Sequence, residues 1–510
     1  MGCAAVAATI GGTVAQAQNL TDYVNNASKG ATDLQKAVGN AVQRTCTQLG
    51  PQGSSLVSQQ TQLGDLFRRC NELVETARFL QNANAAPADI DRRTGQADSG
   101  LLADLQQVSG EEVAAQGSLS SQVPAGQFAN ISGRLNVLRF GAASASRGSR
   151  VASLDSRSSP LDDFASRDLH ASLSNAPRGG GAASDATGAT QVSNPWGWFL
   201  ESNYGFGDHD QTATEDAFDY DSFSATTGTD YNFGNGVIGF SVGYDEYNAD
   251  FDEAVLVSGG DLKVNGVSGS LFGAWFGDGG FSLNGIATYG QLESDLTRRV
   301  SYSPTSTAGT GCTSASPGLG CGAVRTLTGS PDGDFLALGT SLTYDLRAGG
   351  WDISPSLTFS YREINIDPFV ETDTTSNSGL ALSYDEQTIE STRTILGVSL
   401  AYPISRSFGV LTPNFRAEWH HEFDTDPRQI QAKYAAESQL AGGTAANVFN
   451  CAISCFTLST AELESDYGVV GAGVSAVFSQ RLQGYLYYEA LVGVSDTTAN
   501  SIALGIRGQF

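Results

Sequence analysis

The chain has 510 residues, 28 Lys and Arg against 54 Asp and Glu, a net charge of -26 and a pI near 4.4. That length allows two or three domains with an ample core, and 16% charged with 9% aromatic residues excludes a disordered polyelectrolyte. The acidity argues against nucleic acid as a partner, because phosphate backbones repel it. No apolar run of about 20 residues follows the N-terminus, whereas a mean hydropathy of -0.16 suits the alternating strands of a membrane β-barrel.

The charge is uneven along the chain: 15 basic and 16 acidic residues fall in 1–194, leaving 13 basic and 38 acidic residues in 195–510. Composition changes at the same point, from Ala, Gln, Ser, Leu and Arg to Gly, Tyr, Phe, Thr, Ser and Asp. Two different folds are the simplest account.

Residues 4–15 form a short apolar run ending at Ala15-Gln16-Ala17, an A-x-A cleavage site. Residues 1–17 therefore read as a signal peptide with the mature chain starting at Gln18, and the missing basic n-region puts the true start upstream of Met1. An Ala-rich helix is the alternative. Cys3 lacks the preceding apolar run that a lipobox needs. The other six cysteines form three local pairs, Cys46 with Cys70, Cys312 with Cys321 and Cys451 with Cys455. No His or further Cys completes a zinc set beside them, so disulfides in an oxidising compartment are expected, in one of the several pairings six cysteines allow.

Residues 18–123 read as a small helical domain. Leu20, Tyr23, Ala27, Leu34, Val38, Val42, Cys46 and Leu49 keep helical spacing up to the breaker Gly50-Pro51-Gln52-Gly53, and Leu63, Leu66, Phe67, Cys70, Leu73, Val74, Ala77 and Leu80 form a second stripe. A Cys46–Cys70 bond would staple this hairpin, whose core is thin. Leu101, Leu102, Leu105, Val108 and Val113 mark a third helical region. Within 124–142, Phe128, Ile131, Leu135 and Leu138 recur at helical spacing, and 143–194 is low in complexity, a flexible linker.

From Trp196 the period becomes two. Twelve strands are expected at 196–208, 218–233, 236–251, 261–277, 279–294, 333–347, 350–364, 386–402, 408–424, 463–478, 481–493 and 498–510. In the seventh, Trp351, Ile353, Pro355, Leu357, Phe359 and Tyr361 alternate with Asp352, Ser354, Ser356, Thr358, Ser360 and Arg362, one face for lipid and one for a wet lumen. Short gaps follow the even strands and mostly long ones the odd strands. A β-sandwich would not require that alternation and would have shorter strands. The expected fold is mainly β: a twelve-stranded antiparallel transmembrane barrel at 195–510, preceded by the helical domain. The last strand ends with Ile502, Leu504, Ile506, Gly508 and Phe510 on one face. Arg362, Arg393, Arg416, Glu418, Arg481, Glu489 and Arg507 fall on inward faces, either as a charge network gripping a lumenal helix or as a solvated channel wall.

The segments NPWGWFLESNYGFGDHD, DYDSFSATTGTDYNF and GVIGFSVGYDEYNADFD, with the twelve-strand count and the terminal IALGIRGQF, resemble the autotransporter β-domain, the translocator of type V secretion. The segment QFANISGRLNVLRF resembles the pore-threading linker of that family. The resemblance implies a Gram-negative outer membrane, contact with lipid and lipopolysaccharide, insertion by the barrel-assembly machinery through the terminal strand, and a passenger carried at 18–123. The short helical passenger departs from the family's long β-helices. Passenger release by Asn cyclisation needs adjacent asparagines, where this chain has Ala129-Asn130-Ile131, so an uncleaved passenger is expected, at the cell surface or, being so small, retained in the periplasm.

No enzyme chemistry emerges. The first 194 residues hold one His, His170, and no G-x-S-x-G, and Gly64-Asp65-Leu66-Phe67 lacks the Ser of a GDSL block. Adjacent His420 and His421 point to opposite faces of a strand and His209 stands alone, so no metal set or cofactor motif is present. The acidic loop ends around Asp208–Asp221 and Asp245–Glu253 lack EF-hand spacing and read as rim decoration open to lipopolysaccharide-bound cations. The expected function is a translocator that anchors and displays the helical domain. The alternatives are an anchored adhesion or oligomerisation module and a porin-like channel with periplasmic helices; the passenger's partner is not encoded legibly.

Overall fold

The computed structural model describes residues 19–84, 91–120, 122–128, 130–132, 135, 196–253, 258–277, 279–304, 320–373, 377–406, 409–440, 442–443, 449–450, 452–479 and 482–508. The expected signal peptide and the low-complexity linker lie outside these residues.

Twelve long strands close on themselves: β1 Trp196–His209, β2 Phe218–Asn232, β3 Gly236–Glu253, β4 Ser258–Phe276, β5 Phe281–Tyr302, β6 Asp332–Tyr344, β7 Trp351–Ile366, β8 Gln387–Ala401, β9 Gly409–Glu422, β10 Asp466–Ser479, β11 Leu482–Val492 and β12 Thr497–Gly508. Each pairs antiparallel with its sequence neighbour, and β12 returns to β1 through the register Asn203↔Ala503 to His209↔Thr497. Closure leaves the sheet no free edge, which a lipid environment demands.

Periodicity two produces an inside-out protein in the membrane zone. On β7, Trp351, Leu357 and Phe359 face outward and are exposed, while Asp352, Ser354, Thr358, Ser360 and Arg362 are buried inward. On β4, Val267, Leu271 and Trp275 face out and Ser268 and Ser270 face in. Exposed Trp196, Tyr231, Trp275, Phe281, Trp351 and Tyr402 ring the short-turn end, as an aromatic girdle does.

The phase then inverts. Beyond Tyr244, Val267, Tyr289 and Tyr361, the outward positions become Glu246, Lys263, Gln291 and Glu363, and the inward ones become Tyr247, Ala249, Val264, Leu292, Leu296, Ile364 and Ile366, all buried. Above the inversion the wall behaves as in a soluble barrel, polar outside and apolar inside. The fifth strand, expected to stop near 294, continues to Tyr302 because its alternation continues with Leu296, Val300 and Tyr302 inward, and it pairs there with Ala323–Gly329.

The N-terminal helices are α1 Asn19–Val24, α2 Asp33–Leu49, α3 Gly53–Leu56, α4 Gln62–Gln81, α5 Asp98–Gln107 and α6 Val113–Ser120. The single run expected over 20–49 is broken. Asn26 accepts a hydrogen bond from the Ser28 N–H, Gly30 takes φ 70°, and Thr32 with Gln35 forms a reciprocal capping box that starts α2 afresh. Helices α2 and α4 pack together and are joined by the Cys46–Cys70 disulfide. Replacing both cysteines by serine should cost the helical domain about 3 kcal/mol, the value for a loop of this size. Denaturant midpoints of the two forms, followed by far-UV circular dichroism at the helix band, would measure it.

The helices sit on the long-loop end. Segments Phe369–Val370, Leu382–Tyr384, Gln429–Tyr434 and Phe456–Ser459, expected as loop, form a second sheet of four short strands there. One apolar core joins Leu20, Val38, Leu66, Leu73 and Leu105 of the helices to Leu292, Leu296, Val300 and Ile366 of the barrel and to Leu382, Ile430 and Leu458 of the small sheet. At roughly 25 cal/mol per Å² of apolar surface, a core shared in this way is the main force holding helices and barrel together.

Candidate functional site in the lumen and mouth of the barrel

The chain enters the barrel at α6, whose residues are all buried, and continues inside it as helical turns at 123–128 and 130–132. Descent is marked on β3. The Tyr247 hydroxyl donates to the Gln122 carbonyl (2.9 Å), the Gln127 amide donates to Asp245 (2.6 Å), and farther down Phe128, Ile131 and Leu135 cluster with Phe199, Val237, Phe272, Ala274, Ile286 and Ala337. Val237 opens β3 beside a short turn, so the described linker runs from the long-loop end to the short-turn end. Leu135 and Trp196 therefore flank the undescribed stretch at the same end of the barrel.

Two faces of the linker do different work. The stripe Ala125, Phe128, Ile131 and Leu135 packs on inward apolar groups, which explains the helical spacing seen in the sequence. The other face is polar: Asn130 donates to Ser224 (3.2 Å) and Thr226 (2.8 Å) and accepts from Asn203 (3.2 Å), and Thr226 donates to Gln127 (2.7 Å). This close approach requires small residues. A Cβ on Gly243 would overlap the Gln127 amide, one on Gly266 would overlap Val123, and one on Gly126 would overlap Asp245 and Ser224. Gly243→Leu should displace the linker at a cost of about 1–3 kcal/mol, visible as raised single-channel conductance with the barrel still folded.

Lumenal charges gather on the wall from β7 to β11. Arg416 pairs with Glu489 and lies 3.6 Å from Glu418, and Glu418 contacts the His420 ring (3.1 Å). Arg393 contacts His420 (3.1 Å), the Tyr467 hydroxyl and, at 3.9 Å, Glu422. Arg362 is fully buried on the same wall. The structure thus brings together Arg393, Arg416, Glu418 and Glu489 from the inward set, with His420 as a member that its position in an alternating strand could have added. Arg481 and Phe510 lie outside the described residues, and Ile506 and Arg507 are placed by backbone only. Ile502 and Leu504 face outward and are exposed. Cys321 and Cys455 are each disulfide-bonded, while Cys312 and Cys451 lie outside the described residues.

At the mouth, the helices meet the loops through buried ions that sequence reading missed. Arg298 of β5 donates to both oxygens of Glu371 (2.9 and 2.6 Å) and to the carbonyls of Gln107 (3.3 Å) and Leu380 (3.1 Å). Glu72 of α4 accepts from Arg69 (2.7 Å), the Tyr302 hydroxyl (3.1 Å) and the Cys321 N–H (2.8 Å). Asp65 accepts from Arg325 (2.9 Å) and from the Gly379 N–H (3.0 Å). Burial pushes Asp65 upward, but Arg69 and Arg325 together pull its carboxyl below the usual range. Glu215 and Asp216, read from sequence as rim decoration, are buried in this junction. Among the described residues, no three His, Cys, Asp or Glu side chains are placed to hold a metal ion.

The family model for the autotransporter beta-domain matches residues 198–489, more than half of the chain. Among solved structures, the chain is similar to the translocator domain of autotransporter NalP from Neisseria meningitidis, at 15% identity and a TM-score of 0.43 over 64% of this chain and 90% of that one. It is likewise similar to the beta domain of the Bordetella autotransporter Brka (15%, 0.38, 62% and 100%) and to the transport unit of AIDA-I from Escherichia coli (13%, 0.40, 64% and 94%). No curated protein sequence matches the chain. A closed barrel of twelve antiparallel strands, matched over residues 198–489 by that family model, makes this chain a member of the autotransporter family, an outer-membrane translocator of Gram-negative bacteria.

Proposed function

We propose that the barrel translocates its own N-terminal helices to the cell surface and keeps them there as a resident cap, so that the protein is an anchor with a built-in, non-enzymatic surface domain. The observation that carries this reading is the apolar core shared by the helices, the inverted part of the barrel wall and the small loop sheet. A passenger destined for release would need its own closed core. Here removal of the helices would expose Leu292, Leu296 and Val300 to water. The direction of the linker, from the long-loop end downward, speaks against periplasmic helices appended to a porin.

Within this reading, the charges around Arg416 and Glu418 steady the wall opposite the hydrogen bonds of Asn130. The inserted strands meet lipid and, at the acidic collar of Glu246, Asp250 and Glu293, the cation-bridged headgroups of lipopolysaccharide; the barrel-assembly machinery would recognise the β12 strand. An interaction partner for the cap is left to its exposed polar face.

Lys36 lies exposed on α2 and tests the placement. A membrane-impermeant amine reagent applied to intact cells should label it, read by mass spectrometry at the peptide that carries residue 36, with Lys36→Arg as the control that loses the label at that peptide while Lys263 keeps its own. Labelling only after lysis would overturn surface placement, and recovery of the helical domain from culture medium would overturn residence.

A further inference from the structure

The neck between α5 and α6 is where the chain bends from the cap into the barrel. Gly110 makes the bend at φ 73°, with the Tyr384 hydroxyl so near that a Cβ there would overlap it. Directly after it come Glu111 and Glu112, which are 3% and 4% exposed. Against them stands the loop between β1 and β2, where Glu215 and Asp216 are 2% and 3% exposed. The carboxyls of Glu111 and Asp216 bond to each other, and the Gln106 amide donates to Glu111.

Charged groups face this cluster from each packed element. From β1 comes His209, 3.6 Å from Glu215. From β5 comes Arg298, already committed to Glu371 through two hydrogen bonds, and it acts on Glu112 at longer range. Tyr384 bonds to Glu371 and to the Gly110 carbonyl. From α5 comes Asp104, which faces Glu72 of α4, and Arg428 approaches α6 at the Ala114 carbonyl. Among the described residues, carboxyls outnumber the cations that face Glu111 and Asp216. Two carboxyls in direct contact, shielded from water, cannot both ionise without a large penalty. A shared proton resolves the conflict.

We propose that the cap is held on the barrel mouth by a proton-dependent latch, in which the Glu111 carboxyl of the neck donates to or accepts from the Asp216 carboxyl of the first surface loop, and loss of that proton loosens the neck. The acidities agree with the geometry. Burial, then the Asp216 charge, pushes Glu111 well up; burial pushes Asp216 to about 6; and burial, only partly opposed by Arg298, pushes Glu112 to about 8. An acid whose folded value is raised holds its proton longer in the latched state than in the open one. The latch is therefore intact at low pH and weakens as pH rises from the ordinary carboxylate range near 4 toward 8.

The test is amide hydrogen exchange of residues 105–120 in the full-length protein in detergent, corrected for intrinsic exchange, between pH 5 and pH 9 with barrel folding checked by heat-modifiable migration. Opening releases at least the shared proton, so protection of the neck should fall by at least about tenfold for each step of one in pH between pH 5 and pH 8, while strands β7–β9 stay unchanged. Glu111→Gln and Asp216→Asn, singly and together, should make the profile shallower, leaving the part set by Glu112, and the single amides keep a hydrogen bond so that folding is preserved. A pH-independent wild type, or an unchanged pH profile in the paired amide variant, would overturn the latch. So would a loss of protection on adding EDTA at constant pH, since a divalent cation would then be holding the carboxylates.

Discussion

Arg298→Ala should release the cap from the barrel mouth while leaving the twelve strands closed. The guanidinium is fully buried, and its removal strands the Glu371 carboxylate beside Tyr384 and the Leu382 N–H, with two carbonyls losing their donor. Breaking one side of a buried pair costs about 3–5 kcal/mol, a large share of what a small helical domain has to spare. Limited proteolysis should therefore cut the helices first, with heat-modifiable migration of the barrel retained. Glu371→Leu added to Arg298→Ala should restore part of the loss, because the stranded charge is gone. A cap as protease-resistant as wild type in the single variant would show that the ion pair is not what seats it.

The second large effect follows from the inversion of the wall. Leu271, outward on β4, is 67% exposed within the apolar zone, and Leu271→Arg should cost about 2–4 kcal/mol of barrel stability in lipid. Glu293 occupies the same outward face on β5 but above the inversion, so Glu293→Gln should change stability by no more than about 0.5 kcal/mol. Urea unfolding in lipid vesicles, followed by tryptophan emission, measures both. Equal penalties at the two positions would remove the boundary between the lipid-facing and water-facing parts of one wall.

The strands are legible in the sequence because alternation is a local signal: a residue's parity decides its face, and Arg416, Glu418 and Glu489 are assigned inward from parity alone. The inversion escapes such a reading, although its marks are in the sequence. Alternation runs on through Tyr361 and Glu363, and only the identity of the favoured face changes, so a search for period two passes over it. The break after α1 is also marked, in Asn26, Gly30 and the Thr32–Gln35 box, but apolar spacing on both sides of it matches one helix. The small sheet on the loops is beyond local reading, since segments such as Leu382–Tyr384 are three residues long and pair with strands about fifty residues away. The same holds for Glu111 and Asp216. Charged residues in short polar stretches look like surface until the tertiary fold brings another element over them.

The inversion has a mechanical consequence. A wall that is greasy outside below Tyr244, Tyr289 and Tyr361 and acidic outside above them carries a waterline. Sliding the molecule deeper would push Glu246, Gln291 and Glu363 into hydrocarbon, and raising it would lift Val242, Leu271 and Phe359 into water. Both moves are opposed, so the barrel sets its own draught in the membrane, and with it the height at which the cap stands clear of the lipid.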